Sequence, residues 1–123
     1  MKSLILCFLA ATAAGLAPGA DTASLAGKWQ LHTSIAGNDF DMVCTFTQKD
    51  DALGGTCASD QGTFEIAGSV NGNKVTWSYK SEYNGTPLTV KYEGAVGSSN
   101  KIIGTVTVPE FSAGGDFTAT QAK

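Results

Sequence analysis

The sequence predicts an all-β protein, an eight-stranded antiparallel barrel whose strands follow one another as an up-and-down meander. From Leu25 onward, apolar and polar residues alternate with a period of two, and no segment has the longer period of a helix. Turn signals separate the alternating segments, so consecutive strands are expected to pair as hairpins. Closing the strands into a barrel also removes exposed edges, which promote aggregation.

The alternating segments give the strand boundaries. The turns between them are short and polar, and Asn71-Gly72 is the strongest, because this pair can supply the positive φ angles of a two-residue hairpin. The segment PEFSAGG, at 109–115, is the longest predicted loop. The predicted strands run over residues 28–34, 40–48, 53–59, 63–70, 74–80, 87–96, 101–108 and 116–122.

Taking every second residue separates an apolar face from a wet face. We expect the apolar side chains to fill the barrel and the polar ones to face solvent. The predicted inward face comprises Trp29, Leu31, Phe40, Met42, Cys44, Phe46, Leu53, Cys57, Phe64, Ile66, Val70, Val75, Trp77, Tyr79, Leu88, Val90, Tyr92, Ile102, Val106, Val108 and Phe117. The predicted outward face comprises Lys28, Gln30, His32, Asp41, Thr45, Thr47, Glu65, Thr76, Ser78, Thr89, Lys91, Glu93, Thr105, Thr118 and Thr120.

A short glycine motif recurs in the segments LGGTC, IAGSV, YEGAV and IIGTV. Its glycines, Gly55, Gly68, Gly94 and Gly104, have the parity of the inward face. Such glycines let a strand bend sharply or let a bulky neighbour cross the interior, as the corners of a small barrel require. The alternative is that they open a ligand cavity. The sequence favours the interpretation that the glycines form corners of the barrel.

Cys44 and Cys57 flank a predicted four-residue turn at 49–52, which places Gln48 opposite Leu53. Continuing this ladder places the two cysteines directly opposite each other, roughly 4.5–5.5 Å apart and within reach of a disulfide. Metal binding would need further Cys or His ligands, and redox catalysis usually shows a C-x-x-C spacing. The sequence therefore predicts a structural disulfide and no metal site.

The first residues resemble a secretory signal. Lys2 supplies the positive start, LILCFLAATAAGLA the apolar stretch, and small residues up to Ala20 a cleavage zone. We therefore predict a signal peptide over 1–20 and a single β-barrel domain over 21–123, secreted or periplasmic and free of the membrane after cleavage. Cys7 would leave with the signal, and an exported domain with two remaining cysteines is expected to oxidise them.

Charge and titratable residues exclude several classes of function. The formal net charge is −3, and all eight basic residues are lysines, which argues against nucleic-acid binding and against an arginine clamp on an anion. The single histidine, His32, has outward parity, and the carboxylates fall in turns or on the wet face. We predict no catalytic residues and no cofactor, although an enzyme stays open.

The interior is the remaining candidate for a site. Gln48, Tyr79 and Tyr92 place polar atoms among apolar aromatic side chains, which is how small-molecule pockets are usually lined. The alternative is a filled barrel, because eight strands enclose little more than their own side chains. The predicted ligand-binding residues are Trp29, Phe46, Trp77, Tyr79 and Tyr92.

The segment LAGKW resembles the G-x-W motif that opens the first strand of the calycin barrels, which include lipocalins, fatty-acid-binding proteins and avidins. DDALGGTC is similar to the second hairpin of avidin-like proteins, and KVTWSYK to their strand with a ligand-facing tryptophan. The chain lacks the later arginine of lipocalins. The resemblance implies a barrel that binds small, often apolar molecules at its open end, with Trp29, Trp77 and Tyr79 in the pocket.

Three functions remain open at the level of sequence. The leading one is non-catalytic binding of a small hydrophobic molecule inside the barrel. The second is a protein-interaction module, such as a barrel-type protease inhibitor, whose loops dock on a partner. The third is a barrel isomerase or cyclase that works mainly by shaping a pocket. A cavity of roughly 300 Å³ or more, open at one end, would favour the first.

Overall fold

The barrel is closed and antiparallel, and each strand pairs with its neighbours in sequence, as predicted. A computed structural model describes residues 24–97 and 100–122. The predicted signal peptide lies outside the described residues. The strands are β1 Gly27–Ile35, β2 Asn38–Lys49, β3 Ala52–Ser59, β4 Gly62–Asn71, β5 Lys74–Tyr83, β6 Thr86–Gly97, β7 Lys101–Val108 and β8 Ala113–Gln121. Pairing of β1 with β8 closes the barrel.

The two ends of the barrel differ. One end, here called the mouth, carries the turns at 36–37, 60–61 and 84–85 and the 3₁₀ segment Pro109–Phe111 between β7 and β8. The opposite end carries the turns at 50–51 and 72–73 and both ends of the described chain. Within the described residues, no helix is long and apolar enough to cross a bilayer.

Residues before β1 cover the end opposite the mouth, which is called the closed end below. Leu25 is 1% exposed, and its carbonyl accepts a 2.9 Å hydrogen bond from Trp29 Nε1. The Leu25 amide donates to Gln48 Oε1 at 2.7 Å. The backbone amide and carbonyl of the buried Leu25 are therefore both hydrogen-bonded. The residue covers the closed end of the barrel, next to Trp29.

The disulfide prediction is confirmed. Gln48 pairs with Leu53 and Cys44 pairs with Cys57 in the β2–β3 ladder, so the hairpin has the expected register. The two cysteines form a disulfide and are fully buried. A short turn fixes this register, because each residue added to the loop would shift the pairing.

Three of the four inward glycines lie where neighbouring strands approach closely. Gly55 pairs with Phe46, Gly68 with Trp77 and Gly104 with Phe117. A Cβ atom at any of these three glycines would collide with a carbonyl oxygen of the adjacent strand. The strands can therefore approach only because the side chain is missing, which supports the corner interpretation.

Aromatic rings fill the closed half of the barrel. Trp77 stacks on Tyr92 with ring centroids 5.0 Å apart, and Phe46 and Phe117 meet the tryptophan edge to face. Trp29 packs beside Phe46 at 6.3 Å. All five rings are at most 2% exposed. Every residue of the predicted inward face is buried except Phe40 and Phe64, which are half-buried near the mouth.

Three local predictions were wrong. Thr89 was placed on the wet face but is buried, with its amide bonded to Glu110 and its hydroxyl to Lys80. β8 begins at Ala113, so only part of the predicted loop at 109–115 is a loop. The β4–β5 turn is Gly72-Asn73, one residue later than predicted, and of the two predicted positions only Gly72 has a positive φ.

Candidate functional site

A cavity of about 600 Å³ opens at the mouth of the barrel. Every strand contributes at least one residue to it, because the strand ends and the connecting turns converge there. Its wall is mostly apolar and aromatic below and polar at the rim. The lining residues are Ile35, Ala36, Asn38, Asp39, Phe40, Ser59, Gln61, Phe64, Tyr79, Ser81, Glu82, Tyr83, Leu88, Val90, Val108, Phe111 and Ala113.

Apolar side chains form the floor of the cavity. Tyr79 stacks on Phe64 with ring centroids 4.8 Å apart, and Leu88, Val90 and Val108 are each at most 9% exposed. These residues alternate along β5, β6 and β7 with the inward parity of the core below them. The floor is therefore the upper surface of the packed core, exposed to the cavity from above.

A buried cluster of hydroxyl groups lies beneath this floor. The hydroxyl groups of Thr33 and Tyr92 are 3.0 Å apart, and both residues are at most 1% exposed. The Tyr79 hydroxyl donates to Met42 Sδ at 3.7 Å, and the Tyr92 hydroxyl lies 3.9 Å from the same sulfur. A thioether is a weak acceptor, so Tyr79 retains capacity to donate to a better one.

Burial controls the protonation of both tyrosines. Loss of solvation raises the pKa of Tyr79 well above its usual value, and the neighbouring Tyr92 raises it further. Burial also raises the pKa of Tyr92, although hydrogen bonds from Thr33 and Tyr79 oppose the shift. Both phenols stay protonated at physiological pH, so they act as neutral hydrogen-bonding groups and not as bases.

An exposed aromatic pair borders the mouth. Tyr83 is 64% exposed and Phe111 46% exposed, and their rings meet edge to face at 6.0 Å. Adjacent exposed apolar side chains beside an opening form a patch of the kind that marks binding sites, whereas a single exposed residue such as Ile103 needs no such explanation. The two rings belong to separate connections, β5–β6 and β7–β8, so together they bridge one side of the opening.

The 3₁₀ segment also fills a gap in the barrel wall. β6 pairs with β7 only from Lys91 onward, so Thr89 has no ladder partner on that side. The Glu110 carboxylate takes the place of one, accepting a 3.0 Å hydrogen bond from the Thr89 amide. This bond, reinforced by the nearby Lys80, lowers the pKa of Glu110. The Glu110 side chain thus provides the hydrogen-bond acceptor that is missing where β6 and β7 separate.

The predicted ligand-binding residues divide into two groups. Tyr79 lines the cavity. Trp29, Phe46, Trp77 and Tyr92 belong to the packed aromatic core below it. Among the described residues, Trp77 Nε1 is the one buried side-chain nitrogen or oxygen without a hydrogen-bond partner. Whether any of the five contacts a ligand stays a prediction.

Several cavity residues were missing from the predicted site. Phe64, Leu88, Val90 and Val108 were assigned to the inward face, but the period of two does not say how far along the barrel axis a residue lies. Tyr83 is the last residue of β5 and Phe111 the last of the 3₁₀ segment, and both lie beyond the ends of the predicted strands. Their sequence signal was the presence of large aromatics in otherwise polar connections.

The polar residues outside the cavity offer little chemistry. His32 lies on the outer surface, where its Nδ1 is 2.7 Å from Asp41 Oδ1. No group of three or more His, Cys, Asp or Glu residues is arranged to hold a metal ion within 24–97 and 100–122. Over the same residues, Tyr79 and Tyr92 are the only buried side chains with a titratable proton.

Fold and cavity together define the chain as a small closed up-and-down barrel with one open end, an architecture compatible with the calycin fold. No protein-family model, curated protein or solved structure matches the chain significantly.

Proposed function

We propose that the protein is an exported, non-catalytic barrel that binds a small hydrophobic molecule in the mouth cavity. The observation that carries the proposal is the cavity itself, about 600 Å³ in volume, above a floor of Phe64, Tyr79 and Leu88. Ligand pockets commonly have volumes of about 300–1,000 Å³ and combine an apolar wall with a few polar groups. The polar side chains placed to orient a ligand are those that line the cavity at its rim, such as Asn38, Gln61 and Ser81.

Other features are consistent with this proposal. The buried disulfide supports an oxidising compartment, either periplasmic or extracellular, which suits the predicted export signal. The Leu25 residue beneath Trp29 closes the far end, so a ligand would enter and leave through the mouth alone. Membership of the calycin superfamily is part of the proposal and is supported by the barrel topology and by the Gly27-Lys28-Trp29 motif at the start of β1.

Binding can be tested with the uncharged fluorescent probe N-phenyl-1-naphthylamine. We expect a blue-shifted, saturable signal, and we expect Leu88→Trp to abolish it by filling the cavity. Ile103→Trp on the outer wall, where Ile103 is 61% exposed, is the matched control and should bind normally. Ala113→Phe blocks the cavity edge independently if Leu88→Trp fails to fold. Equal binding by the blocked and control variants would refute the proposal.

Identification of the natural ligand needs a different experiment. Native mass spectrometry of the protein purified from its own source should show a retained mass of small-molecule size. The same preparation of Leu88→Trp should lack it, while the Ile103→Trp control should retain it. A retained mass in all three preparations would place the molecule outside the cavity.

The exposed Tyr83–Phe111 pair supports a second candidate, a protein-interaction module such as a protease-inhibitor-like barrel. Exposed aromatic side chains are enriched in protein interfaces. A panel of secreted proteases should then show inhibition that Phe111→Asp abolishes and Ile103→Asp leaves intact. Loss of probe binding in Phe111→Asp without any protease inhibition by the unmodified protein would favour the ligand-binding function.

A further inference from the structure

The charged residues that line the mouth cavity are acidic. Asp39 and Glu82 carry the only formal charges among the lining residues. Asp41 and Asp60 line an adjoining depression that shares Asp39 with the cavity. Among the described residues no lysine lines either space, although Lys80 lines a further depression that shares Glu82 with the cavity. A ligand head group at the rim would therefore face carboxylates.

The lysines are concentrated at the other end. The lysines next to the closed end lie within two residues of a strand end and are Lys28, Lys49, Lys74 and Lys101. The turn at this end also carries Asp50 and Asp51, so the four lysines outnumber the acids there, whereas carboxylates predominate around the mouth. Such a separation creates a negative potential at the mouth, which raises the local concentration of cations there.

Two basic side chains approach the mouth from the outer surface, and both already have partners. His32 Nε2 lies 3.9 Å from Asp39 Oδ2, while its Nδ1 is bonded to Asp41. Lys80 Nζ donates to Thr89 Oγ1 at 2.9 Å and lies near Glu110. Neither side chain lines the cavity, so neither offers a counterion to a bound carboxylate.

The cavity floor is equally unsuited to an anion. Tyr79 is the titratable group at the floor, and Phe64, Leu88 and Val90 around it are apolar. A carboxylate placed there would be buried without a cationic partner, which is strongly unfavourable. An amine at the rim would meet two carboxylates and the faces of Tyr83 and Phe111, which attract cations.

We infer that the cavity selects apolar molecules with a positively charged amine head and discriminates against fatty-acid-like carboxylates. This inference rests on the proposed function, because it assigns the ligand class of the same cavity. The apolar chain would lie against the floor, and the amine would remain at the rim between Asp39 and Glu82.

Three probes of equal chain length and different head charge test the inference: decylamine, decan-1-ol and decanoate. Each would compete with N-phenyl-1-naphthylamine at pH 8 and low ionic strength. We expect decylamine to bind about tenfold more tightly than decanoate, with decan-1-ol between them. Added salt should reduce the ratio of decylamine affinity to decanoate affinity, since it screens exposed charges.

Charge-neutralising variants test which residues cause the preference for an amine head group. Asp39→Asn combined with Glu82→Gln should bring the amine-to-carboxylate affinity ratio close to one. Asp51→Asn, which removes an acid at the closed end, is the matched control and should leave the ratio intact. An unchanged ratio in the double variant would overturn the assignment of these two residues.

The inference and the proposed function fail in different ways. If decanoate binds as tightly as decylamine, the head-group selection is wrong and cavity binding still stands. If no probe binds and N-phenyl-1-naphthylamine gives no signal, cavity binding itself is wrong. Decylamine binding that persists in Leu88→Trp would place the amine outside the cavity and would overturn the inference.

Discussion

Gly68 and Trp77 face each other directly across the β4–β5 ladder. A Cβ atom at position 68 would lie 2.6 Å from the Cα atom of Trp77 and closer still to the Thr76 carbonyl oxygen. Both neighbours are backbone, which cannot move aside as a flexible side chain can. A close approach of the β4 and β5 backbones thus lies beside one of the two tryptophan rings of the core.

This pairing predicts that Gly68→Ala is strongly destabilising. The added methyl group must push the β4 and β5 backbones apart, which should lower the free energy of unfolding by at least about 2 kcal/mol. Urea denaturation monitored by tryptophan fluorescence measures this free energy of unfolding. Gly97→Ala is the control, because the nearest non-neighbouring atom is 3.8 Å from the added Cβ, and it should change stability little. Similar losses in both variants would contradict the close-approach explanation.

The Cys44–Cys57 disulfide should make stability depend on redox state. It closes a loop with a sequence separation of 13 residues, for which loop-closure entropy predicts about 3 kcal/mol of stabilisation. We expect dithiothreitol to lower the denaturation midpoint of the unmodified protein by a corresponding amount. The Cys44→Ala/Cys57→Ala variant should already be destabilised and should not respond to the reductant. A midpoint that is insensitive to reduction would show that the bond contributes nothing.

The buried Thr33 and Tyr92 hydroxyls should be energetically coupled. Tyr92→Phe or Thr33→Val alone leaves one buried hydroxyl without its 3.0 Å partner and should cost about 1–3 kcal/mol. The double variant should cost less than the sum of the single variants, because no hydroxyl is left stranded. Strict additivity would show that the two hydroxyls do not interact.

The His32–Asp41 contact should give a small pH dependence. The hydrogen bond with Asp41 is the main factor that raises the pKa of His32 above 6.5, and the charge of Asp39 adds to it. Because the folded pKa lies above the unfolded one, the stabilisation is complete below about pH 6.5 and is lost as the pH rises through the folded pKa.

Nuclear magnetic resonance titration of the imidazole measures the folded pKa directly. We expect a value above 6.5 that falls in Asp41→Asn and is unchanged in Asp50→Asn, whose carboxylate lies at the closed end. The stability difference between about pH 6 and pH 8 should also shrink in Asp41→Asn. The pH-dependent difference in stability should be small, because the side chains of His32 and Asp41 are both more than half exposed to solvent. A pKa at or below 6.5 would contradict the contact.

The fold could be predicted from the sequence because its determinants are local. The period of two assigned Trp29, Met42 and Val106 to the interior, and the short turn after Gln48 fixed the register that pairs Cys44 with Cys57. The corner glycines could be identified because their parity contradicts the otherwise bulky inward face. No long-range information was needed for these steps.

The cavity could not be predicted with the same precision. Trp77 and Tyr79 are two residues apart on β5 and have the same parity, yet Tyr79 borders the cavity and Trp77 lies in the packed core. Their depth depends on strand tilt and on how the mouth connections fold back, which alternation does not encode. The burial of Thr89 depends on Glu110, a contact between residues 21 positions apart.

The position of the chain ends has a practical consequence. Leu25 and Ala122 both lie at the closed end, where the Ala122 amide donates to the Lys28 carbonyl. An affinity tag, a dye or a sensor-chip linker attached before Leu25 or after Ala122 would therefore sit a full strand length from the opening. Immobilised by either end, the molecule would present its mouth to the analyte stream.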